Sequence, residues 1–497
     1  MQDRNSKLIY MKRTIKRIAV ANPVLFVIFL SAPIVLLAIA QILPTFDDWT
    51  TLSSPNYDKE YLKYFFPFGT VWRPGDALLG YINAINYKGF PILNHILIYM
   101  AHLASTFIVY RITKVAGFNK LSTNLSTLFF YLSPCVCGTI YSCDALNQTY
   151  SHLWGIAAVY SYLIYNNKKR YILWTIFIFL AALSKDNGIA WSIVPPIVAI
   201  GLGKENSKNL IKSIAFGCGI AIVYAIIRLS LPTTIIENGS HIEQMMSLGS
   251  KIKGLAIWIG YTWFAADYIY IAHENSRNII LFLITFLLSA PFILYCFFSN
   301  IKNLAKQSTL FLLLAIVITA SPNLLISMSV MNAYCTLGLA AILIGYLINN
   351  NVDKHRIITI LAIFYVCTAI FTDIHHWYKS WQTSLPSKSI SEEIIKKTGK
   401  PVSKAYCILI NNEKKYSSFC VPTDETVGWG IAMMHATGYK WPQEVKDTTL
   451  SITDATPDYI NKLSAAALKN GYECVWIVYP DSTSVIRKLL NFRKCGS

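Results

Sequence analysis

Long apolar runs separated by short polar loops fill the first three quarters of the chain. They fall at about 18–42, 91–112, 122–141, 150–166, 170–184, 188–203, 210–231, 278–299, 308–322, 327–349 and 357–373. A helix needs roughly 17–25 predominantly apolar residues to cross a bilayer core, so this pattern predicts about eleven spans. Basic residues cluster in alternate loops: Arg111, Lys114 and Lys120, then Lys168, Lys169 and Arg170, then Lys204 and Lys208. By the positive-inside rule these loops are cytoplasmic. The N-terminus then lies inside, the first span is a retained anchor, and the C-terminal part lies outside. Residues 254–273 are apolar enough to span, but spanning would place Lys302 and Lys306 outside. An aromatic-rich interfacial or re-entrant segment keeps the later loops consistent with the rule.

The pattern changes at about residue 385. AYCILI (405–410) and CVWIVY (474–479) read as buried strands. Between them, Thr456 as N-cap, Pro457 at the first helical position and Gly471 just past the end frame a helix, and a further helix is expected over 482–492. The fold class is therefore a polytopic α-helical membrane protein with a small C-terminal α/β extracytoplasmic domain. Residues 1–380 form the transmembrane part, with a first outer loop at 43–90, and 385–497 form the soluble domain.

Composition agrees with this division. Of the 497 residues, 54% are hydrophobic and 14% charged, with a mean hydropathy of +0.42; soluble domains carry about 25% charged residues. The formal charge of +18 would suggest nucleic acid in a soluble protein. Here it follows from basic loops between spans, and no aromatic-interleaved basic patch is present, so nucleic acid is not an expected partner. Most of the 11 cysteines lie in or beside spans as small apolar residues. In the C-terminal domain, Cys407 and Cys420 flank an expected hairpin turn at NNEKK, which predicts a cross-strand disulfide. No Cys/His group has zinc spacing.

Candidate chemistry gathers at the outer membrane face. Asp47 and Asp48 follow the first span in PTFDDWTT, between Phe46 and Trp49. A carboxylate beside hydrocarbon tends to have a raised pKa unless a cation offsets it, which suits a base for an acceptor hydroxyl. Arg73, in VWRPGDALLGY, offers a fork that matches phosphate oxygens, and Pro74 after it restricts it to extended backbone. His95, Tyr99 and His102 share one face of the second span. They are either satisfied core side chains or substrate contacts, with His95 nearer the outer face. Lys185 and Asp186 occupy the turn between spans five and six, where an outer lysine runs against the charge rule. Lys185 either pairs with Asp186 or meets a lipid-linked phosphate. Tyr334, at the outer end of the tenth span, is a further lining candidate.

Taken together, FDDW after the first span, WRP in the first outer loop, the NH-x6-H run of span two and SKDNG between spans five and six resemble the GT-C superfamily of membrane glycosyltransferases. The likeness covers about residues 18–373 and is nearest to the bacterial dolichyl-phosphate-mannose-type and O-antigen glucosyltransferases. It implies a donor sugar on a polyprenyl phosphate, a cell-surface glycan or glycolipid acceptor, and an inner-membrane location. It also implies Asp47 or Asp48 as catalytic base and Arg73 and Lys185 on the lipid phosphate; His95, His102, Asp186 and Tyr334 are, by their placement, further candidate substrate-binding residues. Relatives often carry an arginine shortly before the late-span tyrosine; this chain has Met331 and Asn332 there. A phosphate-monoester leaving group does not demand a metal, so no cofactor is expected. A polysaccharide polymerase or ligase and a lipid-linked sugar transporter are the competing readings. Polymerases and ligases usually place their large loop late, between spans, with the C-terminus inside, and transporters commonly show internal repeats, for which this chain gives no convincing evidence.

Overall fold

In the computed structural model the described residues are 22–44, 48–49, 52, 73–89, 93–230, 248–267, 279–300, 306–325, 328–398, 402–410 and 444–478. The helices in chain order are α1 (Pro23–Ile39), α2 (Pro74–Gly89), α3 (Leu93–Ala116), α4 (Lys120–Tyr131), α5 (Cys137–Ile140), α6 (Leu146–Ile164), α7 (Lys168–Ser184), α8 (Val194–Gly201) and α9 (Ser207–Ser230). After these come α10 (Leu248–Trp263), α11 (Ile279–Phe298), α12 (Gln307–Leu325), α13 (Val330–Asn349) and α14 (His355–Thr398). The final stretch is β1 (Lys404–Ile410), β2 (Glu444–Leu450), α15 (Pro457–Lys469) and β3 (Cys474–Val478).

Among the described residues, six helices are long and apolar enough to cross a membrane: those containing His95–Ala116, Lys208–Ser230, Ile279–Phe298, Gln307–Leu325, Val330–Asn349 and His355–Gln382. The chain is a multi-pass membrane protein. Apolar side chains such as Ile222 and Ile226 on α9, Leu283 and Leu287 on α11, and Ile360 and Phe364 on α14 are exposed along these helices, as expected of surfaces that face lipid. The central helix is α13, where Leu337, Ala340, Ala341, Leu343 and Ile344 are fully buried. Glycines let its neighbours approach: a Cβ on Gly338 would stand 2.7 Å from the His152 ring, and one on Gly345 would stand 2.9 Å from Ser126 Cβ. Close backbone packing at small residues is the usual device where water supplies no driving force between helices.

The predicted third span does not run as one helix. It breaks after Tyr131, because Pro134 has no N–H to donate and its ring clashes with the preceding turn. Ser133 caps a short 3-10 turn over Pro134–Val136, α5 follows, and the chain stays buried through 142–143 before α6 begins. The sixth span is interrupted likewise. Asp186–Ile193 form a 3-10 helix, and α8 carries Pro195 and Pro196 in its first turn. The segment at 254–273 is described to Asp267. It opens as α10, 16 residues long, and then runs on without helix through 264–267. That helix is shorter than the roughly 20 residues of an upright span, and Trp258 pins it to α13 through Thr336 Oγ1 at 3.2 Å.

Beyond α14 lies a parallel sheet of order β2-β1-β3, with Ala405 opposite Val445 on one side and Cys474 on the other. Ile408, Ile410, Val475 and Ile477 pack with Ile460 and Ala467 of α15. Thr456 Oγ1 accepts the Tyr459 N–H at 3.3 Å, and Gly471 closes the helix at φ +84°. Both edges of β1 carry parallel partners, and the expected hairpin turn at NNEKK lies outside the described residues. Cys407 is buried in this sheet. Cys420 and the expected helix over 482–492 lie outside the described residues, so the Cys407–Cys420 bridge stands as a proposal.

Candidate active site

At one end of the bundle, four segments meet around the turn between α7 and the 3-10 helix. The turn is tight because Gly188 N–H donates to Lys185 O at 2.7 Å. Only glycine fits there, since an added Cβ would stand 2.3 Å from Ala181 O. The N-terminus of α2 packs on the same turn through Gly75, whose absent Cβ would be 3.1 Å from Ser184 Oγ. That close approach sets Arg73 and Asp76 beside Lys185 and Asp186. Arg73 Nε lies 3.8 Å from Asp186 Oδ2, and Arg228 Nε of α9 lies 3.5 Å from Asp186 Oδ1. Tyr224 OH donates to Asp186 Oδ1 at 2.8 Å. Asp186 therefore organises two guanidinium groups. Lys185 Nζ donates to Asn332 Oδ1 at 3.2 Å, at the N-terminus of α13.

The fourth segment is the turn at 142–144. Asp48 Oδ1 accepts from Ser142 Oγ at 2.7 Å, from Cys143 N–H at 2.8 Å and from Asp144 N–H at 3.0 Å. Asp48 is 2% exposed, so its carboxylate holds this turn in place. Held there, Asp144 comes near Asp76, which also accepts from Asn147 Nδ2 at 3.4 Å. Burial, and then the Asp144 charge, push the Asp76 carboxyl up to about 7, against the pull of Arg73, Asn147 and Lys185. Burial first, and then Arg73, draw the Lys185 ammonium down to about 8.

The remaining predicted residues occupy other settings. His95 sits between backbone carbonyls, with Nδ1 3.2 Å from Ile140 O and Nε2 3.3 Å from Ile42 O. It ties the chain after α1 to α5, and its Nε2 lies 3.8 Å from Cys143 Sγ of the 142–144 turn. His102 Nε2 faces Tyr131 O at 3.2 Å, and a carbonyl only accepts, so Nε2 carries the proton and Nδ1 accepts from Tyr334 OH at 3.0 Å. Tyr334 is fully buried between His102 and His152, so it satisfies a core histidine instead of lining the charged site. Asp47 lies outside the described residues. The structure adds Asp76, Asp144, Asn147, Tyr224 and Arg228, none of which the loop motifs single out. Asp76 alone had a visible signal, three residues beyond Arg73 in WRPGD.

Two further features flank this end of the bundle. An apolar cavity of about 430 Å³ lies between α1, α3, the α4–α5 connection and α14, with Ile34, Tyr99, Tyr131, Tyr141, Asp373 and Trp377 among its walls. Its lining residues Ile140 and Tyr141 directly precede the 142–144 turn. Asp267, after α10, meets His375 Nδ1 at 2.5 Å and His376 Nε2 at 3.5 Å. Burial alone would raise the Asp267 carboxyl, but the two histidines outweigh it and hold the group well below the usual carboxylate range.

No protein-family model and no curated protein matches the chain. Among solved structures it is similar to the arabinofuranosyltransferase AftD from Mycobacteria, at a TM-score of 0.48 and 10% identity over 92% of this chain and 35% of that one. It is also similar to the archaeal oligosaccharyltransferase AglB from Archaeoglobus fulgidus, solved with an inhibitory peptide and a dolichol-phosphate (0.46, 12%, 90% and 69%). A third is ArnT from Cupriavidus metallidurans bound to undecaprenyl phosphate (0.45, 9%, 91% and 92%). The chain thus spans about a third of the length of AftD. All three likenesses are at 12% identity or less. At TM-scores below 0.5 they are distant, and the functional reading rests on the site's own residues.

Proposed function

We propose that this protein is an inner-membrane glycosyltransferase of GT-C type, moving a sugar from a polyprenyl phosphate to a cell-surface glycan or glycolipid on the outer face. The observation that carries the reading is the meeting of Arg73, Lys185 and Arg228 with carboxylates at one end of a membrane helix bundle. Cations at a lipid-facing end suit a lipid-borne phosphate, and carboxylates beside them suit proton transfer. In the displacement the acceptor oxygen bonds to the anomeric carbon as the bond from that carbon to the phosphate oxygen breaks. The electron pair leaves with the polyprenyl phosphate, whose charge Arg73 and Lys185 balance. The acceptor proton goes to a first-loop carboxylate.

Of the two first-loop candidates, Asp47 suits the base and Asp48 the anchor, because Asp48 Oδ1 already accepts three bonds. The apolar cavity beside Tyr141 suits the hydrocarbon chain of a lipid substrate. On this reading the N-terminus is cytoplasmic and the domain at 385–497 is extracytoplasmic. Glycan mobility in membranes carrying wild type or Asp47→Asn, at matched protein level, tests the proposal. Loss of transfer in the variant supports it, and normal transfer removes Asp47 as the base.

A further inference from the structure

The proposed chemistry leaves Asp76 and Asp144 unused, although the fold works to bring them beside the cations. Gly75 lets the first turn of α2 approach the α7 end at backbone distance, and Asp48 holds the 142–144 turn by three hydrogen bonds. Asn147 reaches Asp76 from α6. The charged groups around Asp76 are then Asp144 on the turn, Arg73 at the head of α2, and Lys185 after α7. Asp186 and Arg228 lie one contact further, through Arg73.

We infer that Asp76, paired with Asp144 beside Arg73 and Lys185, takes up a proton when a phosphate binds, making this a proton-coupled phosphate site. The inference rests on the phosphate reading above. Without ligand, Arg73 and Lys185 attract the Asp76 carboxylate and oppose the repulsion from Asp144. An arriving phosphate monoanion occupies those cations and adds its own repulsion, so the carboxyl binds its proton more tightly in the complex. The free group already stands at about 7. Between that value and the higher value of the complex, binding takes up a proton and weakens as pH rises. Well below it the proton is already present and affinity is flat.

The test uses the full-length protein in detergent and methyl farnesyl phosphate, a phosphodiester that stays a monoanion over the range, so the ligand itself contributes no proton. Calorimetry in two buffers of different ionisation enthalpy, at about pH 7.5, reads the protons taken up, and titrations from about pH 6.5 to about pH 9 read Kd. The expected result is an uptake approaching one proton and a Kd rising by up to about tenfold per pH unit. Asp76→Asn removes the larger part of the uptake and leaves only the fraction taken up by Lys185, Asp144→Asn moves it to lower pH, and Lys185→Arg, which keeps the cation, retains the Asp76 part. Uptake unchanged in Asp76→Asn, or lost in Lys185→Arg, overturns the inference while the phosphate site stands. A wild-type protein that fails to bind the probe at any pH overturns both.

Discussion

Two polar clusters in this bundle use similar raw material to opposite ends. In the α13 core, His102, Tyr334 and Tyr131 pass hydrogen bonds to one another, and His152 accepts from the Gly338 N–H at 3.3 Å amid stacked rings. At the α7 turn, by contrast, cations and carboxylates crowd together, and Arg73 and Asp186 remain 29% and 38% exposed. The first cluster is packed among buried aromatic rings, so it fixes how helices pack. The second keeps charge that a substrate can rebalance. Ionisable residues in membrane helices are functional by default only as a starting assumption; whether their partners already satisfy them decides the matter.

This contrast can be broken most severely at the cations. Replacing Arg73 or Lys185 by alanine is expected to lower glycan transfer about 10²–10³-fold, the range for one transition-state-stabilising group, as read by product formation at matched protein level. Next in size is Gly188→Ala. The added methyl collides with the Ala181 carbonyl, and overpacking of this kind costs about 1–3 kcal/mol, so a lower thermal midpoint in detergent should accompany weakened transfer. Asp48 separates anchor from base: Asp48→Asn keeps an oxygen acceptor and should retain most activity, while Asp48→Ala abandons three donors and should lose it. Equal loss in both would make Asp48 the base.

Smaller effects concern charge state and the core. The Lys185 ammonium is drawn down to about 8, so phosphate affinity falls as pH rises through that value. Lys185→Arg should remove this upper limb of the pH profile. Tyr334→Phe deletes the donor to His102 Nδ1, a buried acceptor. It should cost about 1–3 kcal/mol of stability, seen as a lower thermal midpoint, with transfer per folded molecule unchanged.

Most helices were legible in the sequence because an apolar segment of spanning length satisfies its own backbone in a bilayer by coiling into a helix. Described helices overlap the predicted apolar runs, six of them long and apolar enough to cross a membrane, with interruptions where Pro134 and Pro195–Pro196 fall. Those interruptions make the site, and hydropathy hid them. The buried stretch at 133–145 reads as one more apolar run followed by a loop, so nothing in the pattern marks Asp144. Arg73, Lys185 and Asp186 were visible as charges at the wrong depth or on the wrong side. Asp76 became meaningful only when Gly75 showed how near α2 comes to the α7 end. In the C-terminal sheet, β1 and β3 announce themselves by apolar residues. The strand β2, EVKDTTL at an edge, alternates weakly and carries charge, so its pairing was not foreseen.

Native mass spectrometry of the purified protein with added undecaprenyl phosphate would probe the phosphate site without relying on an acceptor. It would compare wild type with the double variant Arg73→Ala, Lys185→Ala, with folding of both checked by thermal melting. A phosphate site at the α7 turn predicts a lipid-phosphate adduct on wild type that the folded double variant fails to retain. Equal adducts on both would mean that these cations do not hold the phosphate, and the proposed site would be wrong.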